Sequence, residues 1–154
     1  MDEHVVKALY EKLFQYCYSR LSDRHTAEDV TQETFLRFLE HPEYRGTGKE
    51  QQYLFTIARN LCIDEYRKTP PEELTEEVVD ESADDPSYAD RMTLRAILDD
   101  LPEEERELVV LRYVSGLSVR EIAGICGASW FTVNRRIKKI LSKMREEFGR
   151  EGLT

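Results

Sequence analysis

Apolar residues recur every three or four positions through the first 68 residues and again beyond residue 100, and the stretch between keeps no such period. A chain patterned this way builds helices twice and cannot carry one continuous helical pattern through its middle. The dividing segment, residues 69–90, holds nine acidic residues, no basic ones and three of the five prolines, Pro70, Pro71 and Pro86. It has too little apolar surface to offset the entropy of ordering it, so a flexible, solvated spacer is expected. The expected fold is all-α: two small helical domains, residues 1–68 and 91–150, joined by an acidic flexible linker.

Charge needs the same division. The chain carries a formal −9, which argues against nucleic acid as a partner until it is located. Outside the spacer the remaining 22 acidic residues balance the 22 basic ones. Residues 129–145, in contrast, carry Arg135, Arg136, Lys138, Lys139, Lys143 and Arg145 and no acid. A local basic element of this kind is the electrostatic footprint of phosphate binding.

No apolar run approaches the roughly 18–20 residues needed to span a bilayer, so no membrane insertion is expected. The acidic start, Met1 to His4, predicts no signal peptide, and the expected location is the cytoplasm. Cys17, Cys62 and Cys126 fall far apart among apolar helical positions, as buried reduced thiols do. His4, His25 and His41 are isolated, and no nucleophile–base pair, phosphate-cradling glycine loop or metal-ligand cluster is present. The expectation is a protein without catalytic residues, metal or cofactor.

In the first block, Val5, Val6, Leu9, Leu13, Cys17 and Leu21 form one stripe, broken at Ser22 and Asp23. Thr26 is a candidate cap for a second helix, with Ala27, Val30, Thr34, Phe35, Phe38 and Leu39 facing inward. Pro42 ends it, because the residue before proline leaves the helical region. Residues 44–49 read as a loop. A third helix, about residues 50–68, turns Leu54, Ile57, Ala58 and Leu61 inward and gathers Thr56, Asn60, Asp64 and Arg67 on the other side. In the second block Pro102 followed by three glutamates suits a helix start, and Leu108, Val109, Leu111, Tyr113 and Val114 continue that helix to Gly116. Ser118 and Glu121 form a capping box ahead of a short helix. Ser129 is a candidate cap for the last one.

Ala123, Gly127 and Val133 have the spacing of a helix-turn-helix: a small residue for close approach, glycine for the turn and an apolar residue to dock the second helix. That second helix carries the basic run, and Asn134, Arg135, Lys138 and Lys139 project along one face suited to a major groove. On these features alone, a free-standing helix-turn-helix regulator fits as well.

Both blocks together resemble the extracytoplasmic-function (ECF) group of the sigma-70 family of RNA polymerase sigma factors. The matching residues are Ala27 to Phe35, Tyr44 to Gly46, Tyr53 to Leu61, Asp64 and Arg67. In the second block they are Leu101, Pro102, Glu107, Leu111 to Tyr113, Gly116 to Ser118, Glu121 to Ala123, Thr132, Val133 and Arg136. The resemblance implies a factor that binds core RNA polymerase, directs promoter-specific initiation and aids promoter melting. It implies that Asp29, Gln32, Glu33 and Phe35 meet the β′ coiled coil and that the helix near Leu108 and Leu111 meets the β flap. Tyr44, Arg45, Arg59, Asn60, Asp64, Arg67 and Lys68 would serve the −10 element, Asn60 holding a flipped base while Arg67 and Lys68 hold phosphates. Thr132, Asn134, Arg135, Arg136, Lys138 and Lys139 would serve the −35 element of promoter DNA. An anti-sigma factor is a further partner the resemblance implies.

Three departures stand out. Glu50 replaces a common aromatic, Tyr53 a common tryptophan, and Trp130 and Phe131 the usual small residue. Fewer stacking groups are then expected at the −10 element, and at least one of Trp130 and Phe131 is expected to pack into the core, the alternative being contact with thymine methyl groups. The 22-residue spacer reaches at most about 75 Å when extended, comparable with two turns of B-DNA at about 34–36 Å each.

Overall fold

The computed structural model describes residues 3–68, 96 and 98–150, with side chains to residue 147. The predicted spacer lies outside the described residues. Six α-helices are numbered here: α1 Glu3–Leu21, α2 Arg24–Leu39, α3 Glu50–Lys68, α4 Glu103–Val109, α5 Val119–Cys126 and α6 Trp130–Arg150. Among the described residues there is no strand and no helix long and apolar enough to cross a membrane.

Helices α1, α2 and α3 pack on one another in a three-helix layer. Its interior is Leu9, Leu13, Tyr16, Cys17 and Leu21 from α1, Ala27, Val30 and Phe38 from α2, and Leu54, Phe55, Ala58 and Cys62 from α3. Two threonines also face inward on α2. Their hydroxyls donate to carbonyls one turn back, Thr31 to Ala27 and Thr34 to Val30, both at 2.7 Å; without these bonds each buried hydroxyl would be costly. The cap of α2 is Asp23, not Thr26: Thr26 Oγ1 donates to Asp23 Oδ2 at 2.5 Å, and the helix starts at Arg24. Val5 and Leu39, predicted to face inward, are exposed because they lie at helix ends beyond the neighbouring helices.

The second block departs from a plain helical hairpin. After Val109 the backbone widens into a π-type turn, Val110–Val114, in which the Ser115 amide donates to the Val110 carbonyl at 2.8 Å. Gly116 then takes φ 73°, a conformation glycine adopts without strain, and the Leu117 amide closes onto the Leu111 carbonyl at 3.0 Å. Widening rotates Tyr113 and Val114 outward, where both are exposed against expectation, while Leu111 stays buried. The capping box at α5 is present in both halves: the Glu121 amide donates to Ser118 Oγ and the Ser118 amide to Glu121 Oε1, each at 3.1 Å. Gly127 ends α5 in the left-handed region at φ 66°. Ser129 accepts from the Thr132 amide at 3.2 Å and so caps α6. Val133, Ile137 and Ile140 seat α6 on α4 and α5.

The two blocks are not apart. Helix α3 packs along α5, and α1 packs against the π-type turn. At Gly124 of α5 an added Cβ would come within 2.1 Å of the Gln52 amide nitrogen from α3.

Candidate nucleic-acid interface

On α6 the exposed side chains follow the helical period. Phe131, Arg135, Arg136, Lys138 and Lys139 are exposed, and Asn134 is half-buried. At 100° per residue, Phe131, Arg135 and Lys138 share one face. Thr132 is half-buried and joined to the cap, its Oγ1 accepting from Ser129 Oγ at 2.9 Å, so it places the helix start rather than projecting from it. Trp130 and Phe131 correct the packing expectation. They are 47% and 76% exposed, and they meet each other edge to face at 5.3 Å. The apolar seam toward α4 and α5 is already filled by Val133, Ile137 and Ile140, which leaves no inward position for either ring.

On α3 the predicted polar stripe is real in exposure: Asn60, Asp64, Arg67 and Lys68 are exposed, and Thr56 donates back to the Gln52 carbonyl at 2.8 Å. The loop before it is organised by stacked rings. Tyr44 lies over Tyr53 at 4.5 Å and beside Phe38 at 6.3 Å, so both tyrosines are partly occupied within the fold. Arg45 donates to the Leu39 carbonyl at 2.8 Å. Glu50, the departure from the aromatic pattern, accepts from the Gly48 amide at 3.3 Å. Hydrogen bonds from its own amide, and then from the amides of residues 48, 46 and 47, hold its carboxyl below the usual carboxylate range. An acid at this place shapes the glycine loop.

Arg59 is the residue the structure treats differently. Its Nε donates to Glu107 Oε2 of α4 at 3.0 Å. The same oxygen accepts from the Tyr16 hydroxyl at 2.6 Å and from the Arg20 guanidinium. Arg20 also donates to Tyr16 Oη at 3.2 Å and pairs with Glu103 at 3.4 Å. Glu107 is only 6% exposed. Burial first, and then the Glu107 charge, push the Tyr16 hydroxyl well above its ordinary value of 10.0. The same two causes push the Cys126 thiol, 3.9 Å from Glu107 Oε1, up to about 11. A second tie runs from Gln51 of α3 to Glu121 Oε2 at 3.0 Å.

Asp29, Gln32 and Glu33 form an exposed acidic and amide face on α2. Asp29 and Glu33 rim a shallow hollow completed by Thr26, Val30, Leu61 and Glu65. Phe35 does not belong to that face: it is half-buried and stacked on Tyr10 at 5.9 Å. Leu108 and Leu111, expected near a docking surface, are core residues. Sequence reasoning missed Tyr16 and Arg20 and gave Glu107 no role. Their only local signal is an aromatic and a cation on the inner side of α1, and pairing across 87 or 91 positions leaves no periodic trace.

Residues 5–70 match the family described as Sigma-70 region 2, and residues 91–144 match Sigma-70, region 4. The chain is 32% identical over 154 residues to the ECF RNA polymerase sigma factor SigE of Mycolicibacterium smegmatis, covering 94% of this chain and 60% of that protein. It is 30% identical over 169 residues to the ECF RNA polymerase sigma factor SigL of Mycobacterium tuberculosis, covering 97% of this chain and 92% of that one. Among solved structures, the sigma factor RpoE of Bartonella quintana, in complex with the anti-sigma factor NepR, shares the fold with a TM-score of 0.69 at 22% identity, over 94% of each chain. CnrH, in complex with the cytosolic domain of CnrY, gives 0.67 at 22% identity, over 96% of this chain and 86% of that one.

Proposed function

The chain belongs to the ECF group of the sigma-70 family, non-catalytic initiation factors, and we propose that it binds core RNA polymerase and brings it to promoters by reading −10 and −35 elements. The reading assigns residues 1–68 to polymerase and the −10 element, residues 91–150 to the −35 element, and residues 69–90 to an acidic spacer. The observation that carries it is the outward face of α6, where Arg135 and Lys138 stand exposed on a helix capped and seated as the second member of a helix-turn-helix. A helix presented this way fits a major groove, with arginine and lysine suited to guanine edges and phosphates. Arg136 and Lys139 flank that face, and Asn134 sits at its edge; Thr132 sets the entry angle.

Phe131 adds an apolar group to the same face, one turn before Arg135. An exposed ring among cations at a groove suits contact with a thymine methyl. Asp29, Gln32 and Glu33 are the polymerase contacts; Phe35 supports them from behind. Asn60, Asp64, Arg67 and Lys68 take the −10 strand, with Arg45 from the loop; Tyr44 and Tyr53 act as a stacked pair that shapes the loop. The chain works in the cytoplasm, where polymerase is, and an anti-sigma factor is its regulator, as the solved RpoE relative is described in complex with one.

Transcription from a promoter library by purified core polymerase, with and without the chain, tests this. Promoter-selective transcripts that appear only on addition support it. Sequence-specific duplex binding by the chain with no transcription contradicts it and returns the free-standing regulator.

A further inference from the structure

Two guanidinium groups and a phenol converge on one oxygen of Glu107. All three donors come from the first block, on α1 and α3, and the acceptor comes from α4 of the second. Remove the carboxylate and what remains is a pair of cations around a hydroxyl, the Tyr16 side chain fully buried and that of Arg20 13% exposed. A partly desolvated pair of cations is strongly unfavourable without a counter-charge, so the cluster must hold an anion or open to water. One of the cations, Arg59, adjoins Asn60 in the stripe assigned to the −10 strand. Guanidinium groups that hold a carboxylate by charge-assisted hydrogen bonds hold phosphate oxygens in the same way.

We propose that Tyr16, Arg20 and Arg59 form an oxyanion site that Glu107 fills when the two blocks are closed, and that a phosphate of the −10 DNA strand takes its place when they part. Glu107 is thus a latch in cis, and Gln51 with Glu121 and the close seat of Gln52 at Gly124 complete the closed interface. Binding of single-stranded DNA at α3 is then weakened by the small fraction of open chain, and anything that favours opening strengthens it by the same factor. The phosphate half of the proposal rests on the functional reading above; the latch does not.

The test uses the full chain, small-angle X-ray scattering for closure, and binding of a 20-nucleotide oligothymidylate by fluorescence anisotropy. Glu107→Gln keeps shape and removes charge. It should enlarge the scattering radius and raise oligothymidylate affinity about tenfold, with helix content by circular dichroism unchanged. Arg20→Met, which weakens the latch from the other side without touching Glu107, should also enlarge the radius. The double variant should be as open as Glu107→Gln yet bind the oligonucleotide about fivefold more weakly than it. Unchanged radius and affinity in both single variants overturn the latch. An open double variant that binds as tightly as Glu107→Gln overturns the phosphate site and leaves the latch. Promoter-selective transcription by the wild type is scored separately, so a failure of the functional reading is distinguishable from a failure of either half.

Discussion

Two surfaces of the molecule carry the cations proposed to meet DNA, and they are kept in opposite states. The face of α6 stands open: Arg135, Arg136, Lys138 and Lys139 are exposed. On α3 the exposed residues Asn60, Arg67 and Lys68 adjoin an arginine, Arg59, that is turned away and bound to Glu107 of the other block. The difference comes from packing rather than composition. Helix α6 seats its apolar seam on α4 and α5 and leaves its polar side to solvent, whereas α3 is covered by α5 along one flank. A cation on a covered flank must find a counter-charge inside the protein. The lesson is that net charge on a helix does not tell whether the charge is available.

The largest expected effect attacks the open surface. Arg135→Ala with Lys138→Ala removes two contacts that in a groove are each worth about 1–3 kcal/mol. Affinity of the chain for duplex promoter DNA should fall at least about tenfold and its salt slope by about two, while oligothymidylate binding stays within about twofold. Equal loss on both nucleic acids would mean the two surfaces are not separate. Next, Ser118→Ala breaks the capping box of α5 and should cost about 1 kcal/mol of thermal stability. Because α5 also covers α3, the same variant should loosen the closed form, visible as a larger scattering radius.

Phe131→Ala sharpens what the open surface reads. It should lower discrimination at one thymine of a selected −35 site by a factor of about five, about 1 kcal/mol. Replacing that thymine by deoxyuridine should cost the wild type the same and the variant nothing further. The smallest effect is of pH. Burial and the Glu107 charge hold the Cys126 thiol at about 11 in the folded chain against an ordinary 9.0, and Glu107 belongs to the same block as Cys126, so the shift is linked to unfolding rather than to opening. Below pH 9 the thiol is neutral in both folded and unfolded chains and its contribution to stability is whole. Between pH 9 and 11 only the unfolded chain loses the proton, so stability falls as pH rises. Tyr16, raised above its ordinary 10.0 by burial and by Glu107, acts in the same sense at the upper end. Thermal unfolding followed from pH 8 to 11 should show a falling midpoint, and Cys126→Ser should remove the lower part of the fall.

Much of the fold was legible in the sequence because it is local. Helix α3 begins and ends where its period does, and Ser118, Gly127 and Ser129 are local signals that found the ends of α5 and the start of α6. The π-type turn was not legible: Val110 to Val114 keep an ordinary helical pattern, and the widened turn is closed by the left-handed Gly116 and by the Leu117 amide on the Leu111 carbonyl. The open face of α6 was legible for the same reason, as a periodic run of cations on one helix. The covered one was legible only in part. Asn60, Asp64 and Arg67 form a stripe by spacing, but the state of Arg59 depends on Glu107, 48 residues away. Phe131 and Trp130 were misjudged because residue type suggests burial and only the filled seam shows there is no room.

The most direct measurement compares oligothymidylate and duplex DNA as ligands for the wild-type chain and for Glu107→Gln in the same buffer. A latch that holds only the single-strand surface predicts about a tenfold gain on the oligothymidylate and less than a twofold change on the duplex. Equal changes on both ligands, or none on either, would contradict it.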